Sequence, residues 1–264
     1  MTVHGAIPDN AMRRLRHMRP DSATPLYTSD LSVNEFLLVR EAGFRPLGLV
    51  MGTSIYQVGF QLTRWGRNQE LGMLSWAMYH ARELAMTRMQ AEADVLGADG
   101  IVAVRLNITF RAAGLADFIA VGTAVKADQP GNWRNNAGKP FTSDLSGQDF
   151  WTLLQAGHAP LGMVMGTCVY HIAHQRFWQA MRAQIGEIPQ FTEALYDARE
   201  LAMARMQAEA QQLQAEGIVG VKLLAPPHYW GDHITEFFAV GTAVKSLRND
   251  HSIAKPQLVL PLMG

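Results

Sequence analysis

Tyr79–Ala93 reads YHARELAMTRMQAEA and Tyr196–Ala210 reads YDARELAMARMQAEA, identical at thirteen of fifteen positions. The match runs on in both directions. Upstream, YTSDLS from Tyr27 and EAGFRPLGLVMGTSIY up to Tyr56 answer FTSDLS from Phe141 and QAGHAPLGMVMGTCVY up to Tyr170. Downstream, FIAVGTAVK (Phe118–Lys126) answers FFAVGTAVK (Phe237–Lys245). A self-match this long is an internal duplication, and it decides the fold before any single element is read. It divides the chain into a flexible arm (1–26), a first copy (27–127), a linker (128–140), a second copy (141–246) and a tail (247–264).

Each copy opens with a short capped helix. Ser32 and Glu35 fit a capping box, with Leu31 and Phe36 at the staple positions and Gly43 as the stop. Ser146, Asp149, Leu145, Phe150 and Gly157 repeat the device. A strand follows over Pro46–Val58, where Gly48 and Gly52 share one face with Val50, Ser54 and Tyr56. Gly162 and Gly166 repeat the pair, so both copies carry a strand face that lets something approach closely. Long helices are predicted over Trp76–Leu96 and Thr192–Leu213. On the first, Met78, Ala81, Ala85, Met89 and Leu96 form one small, soft stripe suited to lying on a sheet. Arg88 with Glu92, and Arg205 with Glu209, stand four apart and can meet on one face, Arg82–Glu83 and Arg199–Glu200 recur beside them, and these charges are expected in helix or interface salt bridges. The strands IVAVRLNI and IVGVKLLA, then the two GTAVK strands, complete the units. The long helix must then cross over between two parallel strands, and a right-handed crossover is expected. Trp133 is unusual for a free linker and is expected to pack on a unit. The apolar Leu258–Met263 of the tail is expected to dock.

Composition excludes several classes. Lys and Arg total 23, Asp and Glu total 23, so no basic footprint for nucleic acid covers the surface. A lone cysteine rules out a disulfide scaffold. No apolar run reaches the length of a membrane span, and the first residues lack a secretory core, so the cytoplasm is the expected location. The arm's Arg13, Arg14, Arg16 and His17 are too few to argue for nucleic acid. The motifs of zincins, nucleophile elbows, phosphate loops and dinucleotide sites are all missing, and no cofactor is expected.

GLVMGTSIY, YHARELAM with LGADGIVAV, and FIAVGTAVK, each repeated in the second copy, resemble the YbjQ-like family, whose members carry a heavy-metal-binding label. The resemblance covers about residues 46–126 and 160–245. It implies an α+β fold of tandem βαββ units, each a three-stranded sheet of order 1-3-2 with one long helix, in a dodecin-like or YbjQ-like architecture. It further implies homopentameric rings and no agreed catalytic residues. The chain departs from simpler members in its duplication, in the capped helix ahead of each unit, and in RWGRNQE after the first strand, where a loop of paired glycines and arginine is expected.

One cluster has metal-ligand chemistry, and only in the second copy. Cys168, His171 and His174 close the first strand, and His228, Asp232 and His233 lie in the loop before the last strand. Parallel strands would bring both groups to one sheet edge, and thiolate, imidazole and carboxylate together suit zinc or a similar divalent ion. Against this, His171 and His174 are three apart and in a continued strand would face opposite sides. The predicted interface set is Gly48, Gly52, Gly162, Gly166 and the eight helix charges named above. Three function classes follow. The first is a non-enzymatic, ring-forming structural or interaction protein, whose partner is itself or an unknown protein met by the arm or tail. The second is a metal or small-ligand binder. The third is an enzyme of unrecognised type.

Overall fold

The computed structural model describes residues 7–19, 21–22, 26–57, 67–111, 115–173, 189–225 and 233–248. The first unit comprises α2 (Val33–Glu41), β1 (Phe44–Gln57), α3 (Gly72–Val95), β3 (Gly100–Arg111) and β4 (Leu115–Ala127), with α1 (Asp9–Met18) ahead of it and β2 (Gln69–Glu70) before α3. The second comprises β5 (Phe141–Thr142), α4 (Gly147–Gln155), β6 (His158–His171), α5 (Pro189–Gln212), β7 (Gly217–Leu224) and β8 (Ile234–Ser246).

Local chemistry sets the boundaries. The Ser32 hydroxyl accepts from Glu35 N while the Glu35 carboxylate accepts from Ser32 N, a full capping box. Gly43 and Gly157 end the short helices at φ of +82° and +80°, a backbone state in which an added Cβ is strained. The long helices lie against their sheets at the glycine faces. A Cβ on Gly52 would sit 2.0 Å from the Ala85 carbonyl oxygen, and one on Gly166 would sit 1.9 Å from that of Ala202. Only glycine lets a helix backbone come that close to a strand.

Strands β1 and β3 each pair antiparallel with β4, and β6 and β7 each pair antiparallel with β8. The expected three-stranded sheet is corrected to a four-stranded one. The orders are β1-β4-β3-β5 and β2-β6-β8-β7. The fourth strand in each case is two residues long and comes from the other unit's stretch of chain. Phe141 and Thr142 extend the first sheet, in parallel with Gly100 and Ile101, while Gln69 and Glu70 extend the second against His171 and Tyr170. The units therefore cover one edge each for the other, and edge strands are where sheets are most exposed to wrong pairing.

The core is continuous across the joint. Met78, Ala85, Met89 and Phe118 of the first unit share one cluster with Met165, Val169, Phe238 and Val240 of the second. The second sheet is thus packed on both faces, by α5 on one and α3 on the other. The arm is also corrected: Asp9–Met18 is a helix docked on the first unit, because Leu15 and Met18 are buried while Arg14 reaches the Leu49 carbonyl at 2.7 Å. Trp133 packs edge-on against Phe44, with ring centroids 4.9 Å apart. No helix among the described residues is long and apolar enough to cross a membrane. The expected docking of Leu258–Met263 falls outside the described residues.

Candidate functional site at the joint between the units

One set of buried and half-buried polar side chains meets where α3 crosses the second sheet. Arg82 is fully buried there. Its guanidinium donates to Thr167 Oγ1 at 2.6 Å and Glu236 Oε1 at 2.7 Å, and it stacks 4.0 Å from the Phe238 ring centroid. Helical spacing puts Tyr79 and Ser75 on the same side of α3. The Tyr79 hydroxyl donates to Glu209 of α5. Ser75 Oγ accepts from Val169 N at 2.9 Å, and Val169 O accepts from Leu71 N. The N-terminal turns of α3 therefore serve as a polar edge for β6.

Of the expected helix or interface salt bridges, Arg82–Glu236 and Arg205–Glu70 form across the joint, while Arg88–Glu92 and Arg205–Glu209 do not pair along their helices. Arg88 donates to the Thr53 carbonyl, while Glu92 accepts from Arg14 and, at 2.9 Å, from Met51 N. Arg205 forks onto Glu70 at 2.7 and 2.9 Å and reaches the Thr167 carbonyl; Glu209 accepts from Met165 N at 2.7 Å. The physical reason is competition. A helical pair on a wet face is worth a few tenths of a kcal/mol, whereas strand N–H and C=O groups left at a sheet edge need partners. Glu83 bonds His80 at 3.1 Å on the surface, and Arg199 bonds Glu200 and stacks on Tyr196.

Burial and these partners set the ionisation. Burial pushes the Glu209 carboxyl up, against the opposing pull of the Tyr79 and Met165 hydrogen bonds. The Tyr79 phenol is pushed up by burial and by Glu209 beside it. Burial alone would raise Glu70, but its bonds to Arg205 and Ser75 and the Arg205 charge bring it below the ordinary value. An open groove of about 390 Å³ runs between α3 and α5, lined by Ser75, Trp76, Tyr79, Arg205, Glu209 and Gln212. Among the described residues lining it, Tyr79 binds Glu209, Glu209 also accepts from Met165 N, and Arg205 binds Glu70 and the Thr167 carbonyl.

The proposed metal ligands are divided. Cys168 lies on the face of β6 that packs α5, among Val164, Ala198 and Ala202. His171, three residues on, faces the other way, with Nδ1 3.2 Å from the Arg67 carbonyl. Cys168 therefore cannot share an ion with His171. His233 is next to His171 across the sheet, where its carbonyl accepts from Ile172 N at 2.7 Å. His174, His228 and Asp232 lie outside the described residues, and among the described residues no three His, Cys, Asp or Glu gather as a metal would require.

A family model described as "Putative heavy-metal-binding", YbjQ, matches twice, at residues 48–128 and 156–246. This chain belongs to the YbjQ-like family. The encapsulin nanocompartment protein Rv1762c of Mycobacterium tuberculosis is 51% identical over 258 residues, which is 96% of each chain. A UPF0145 protein of Halorubrum lacusprofundi is 37% identical over 102 residues, 37% of this chain and 97% of that one. The UPF0145 protein TTHA1944 of Thermus thermophilus is 36% identical over 87 residues, 32% of this chain and 75% of that one. These two matches have the length of one YbjQ-like unit, and the mycobacterial match spans both.

Sequence reasoning placed Arg82 at an interface but missed its acceptors, Thr167 and Glu236, and also Tyr79 and Glu70. A signal was present. Tyr79 and Tyr196 are the same repeat position, and Glu236 answers Asp117, so both copies carry a phenol and an acid where the joint needs them.

Proposed function

We propose that this chain is a non-enzymatic structural or interaction protein that assembles with copies of itself into a closed ring and works as part of an encapsulin nanocompartment in the cytoplasm. The observation that carries the reading is the use made of its polar residues. Arg82, Glu236, Tyr79 and Glu209 spend their hydrogen bonds holding one unit against the other. The similarity to the mycobacterial encapsulin nanocompartment protein over 96% of both chains supplies the setting. Closed rings are the usual outcome when identical joints repeat around an axis. The YbjQ-like resemblance favours five chains. Two units per chain and equivalent joints throughout require an even number of units in a ring, so five chains make ten units.

Native mass spectrometry of the purified protein tests the assembly, and co-expression with an encapsulin shell protein tests the setting. The expected spectrum shows one dominant closed oligomer, and the expected particles contain the chain in fixed ratio to shell. A stable single chain at micromolar concentration would overturn the ring. Particles that form without the chain when both are expressed would overturn the nanocompartment.

A further inference from the structure

A duplicated chain has two of everything, and the internal joint uses only one set. The α3 face that meets the second sheet is repeated on α5, where no sheet among the described residues covers it. Met78 is 0% exposed and its counterpart Leu195 is 38% exposed. Tyr79 is bonded to Glu209, whereas Tyr196 is 54% exposed. Arg82 lies under a sheet, and Arg199 lies on the surface with Glu200.

The receiving face is duplicated in the same way. Val169 of the second sheet is 0% exposed beneath α3, and its counterpart Ile55 of the first sheet is 63% exposed. Asp117 of β4 stands where Glu236 stands on β8. It is buried, one of its oxygens is taken by Arg111, and the other, Oδ1, has no hydrogen-bond partner among the described residues. Glu236 fills the same need with Arg82. Likewise Glu92 accepts Met51 N through Oε2, the oxygen that also holds Arg14 of α1, as Glu209 accepts Met165 N, and the oxygen of Glu209 that Tyr79 binds corresponds to Oε1 of Glu92.

A second part of the joint points to the same neighbour. Phe141 and Phe150 stack at 5.9 Å and are buried in the first unit, where a Cβ on Gly100 would lie 2.1 Å from the Phe141 ring. Their counterparts Tyr27 and Phe36 stack at 5.7 Å, with Tyr27 49% exposed. Gly217, the counterpart of Gly100, has only a Val244 methyl at 3.9 Å from its Cβ position. A ring pair without a slot and a slot without a ring pair thus stand on opposite ends of one chain.

We propose that the second unit of one chain docks on the first unit of the next by repeating the internal joint. In that contact α5 lies on the neighbour's Ile55 and Asp117 face, Arg199 meets Asp117, Tyr196 meets Glu92, and the neighbour's Tyr27–Phe36 stack seats over Gly217. The proposal rests on the ring reading above and names its interface. The contact is head-to-tail, since each chain presents a different surface to each neighbour, and such contacts close into rings or run on as filaments. The attraction is the one that holds the chain's own halves together: apolar burial with one desolvated arginine–carboxylate pair at its centre.

Two variants test it. Leu195→Glu spoils the helix face and Ile55→Glu spoils the sheet face, both at exposed positions. Each alone should reduce the native-mass oligomer to single chains while keeping the melting transition of a folded protein. Mixed one to one, they should give a dimer and nothing larger. The intact helix of one variant meets the intact sheet of the other, and the remaining joint sets glutamate against glutamate. Arg199→Ala, which only shortens an exposed side chain, is the second helix-face variant and should weaken assembly at least tenfold. A wild type that is a single chain would refute the ring itself. An oligomeric wild type whose Leu195→Glu and Arg199→Ala variants stay fully assembled would refute this interface and leave the ring standing. Variants that dissociate singly but give no dimer on mixing would overturn the head-to-tail arrangement.

Discussion

Arg82 and Glu236 stand 2.7 Å apart with neither side chain exposed, 154 residues apart in sequence and in different repeats. Taking both charges out of water costs several kcal/mol, and mutual attraction offsets that only while both are present. Removing one leaves the other buried and unpaired. Arg82→Met should therefore cost about 3–5 kcal/mol in chemical denaturation, whereas Arg82→Met with Glu236→Leu should recover most of it. A double variant as unstable as the single one would mean that Thr167 and the Phe238 ring, not the ion pair, hold Arg82.

The glycine faces give a second expectation. Gly52→Ala and Gly166→Ala each place a methyl about 2 Å from a helix carbonyl oxygen, and backbone cannot yield as a side-chain tip can. Each should cost about 1–3 kcal/mol by forcing the helix off its sheet. Gly72→Ala is the control, because nothing lies within 4 Å of its Cβ position. An unchanged urea midpoint for Gly166→Ala would show that the helix can shift without loss.

Much of this was legible in the sequence because it is local or repeated. Ser32 and Glu35 are three residues apart, Gly52 alternates with Val50 and Ser54, and the duplication brings each pattern twice. What could not be read is long-range. Gln69–Glu70 and Phe141–Thr142 add a strand to a sheet, yet two residues carry no periodicity. Arg88 and Glu92 satisfy the helical pairing rule and still bind elsewhere, because strand edges and α1 compete for them. Cys168 and His171 of the candidate metal cluster leave β6 on opposite faces, as strand parity requires of residues three apart.

Two carboxylates at the joint, Glu209 and Glu70, predict opposite pH behaviour. Glu209 has a folded value above its ordinary 4.5, so its contribution to stability is full below 4.5 and is lost as pH rises through the folded value. Glu70 has a folded value below 4.5, so its contribution is present above 4.5 and is lost as pH falls through the folded value. Denaturation followed from pH 3 to pH 8 should then respond differently to two amide variants. Glu209→Gln removes the titration, keeps one acceptor oxygen and puts an NH2 donor in place of the other, and should flatten the loss on the alkaline side. Glu70→Gln should remove part of the loss on the acid side and weaken the Arg205 fork. Identical pH profiles for wild type and Glu209→Gln would contradict the burial argument.

Cys168 is the last test, and it separates packing from chemistry. Its sulfur lies inside the α5 side of the second sheet, and burial, with the Glu70 charge adding to it, pushes the thiol up to about 12. At pH 8 a group of that kind is about one part in ten thousand thiolate, and the thiolate is the form that reacts or binds a metal. A disulfide reagent should therefore leave the native protein unmodified for hours and label one thiol per chain within minutes once urea unfolds it. The labelling rate in native buffer should follow the opening of the second unit, so Arg82→Met should speed it. Cys168→Ser should leave any zinc bound through His171 unchanged, because the two side chains leave β6 on opposite faces. Rapid stoichiometric labelling of the folded wild type, or loss of zinc from Cys168→Ser, would mean that the thiol is reachable and that the packing of α5 on this face is looser than its buried alanines require.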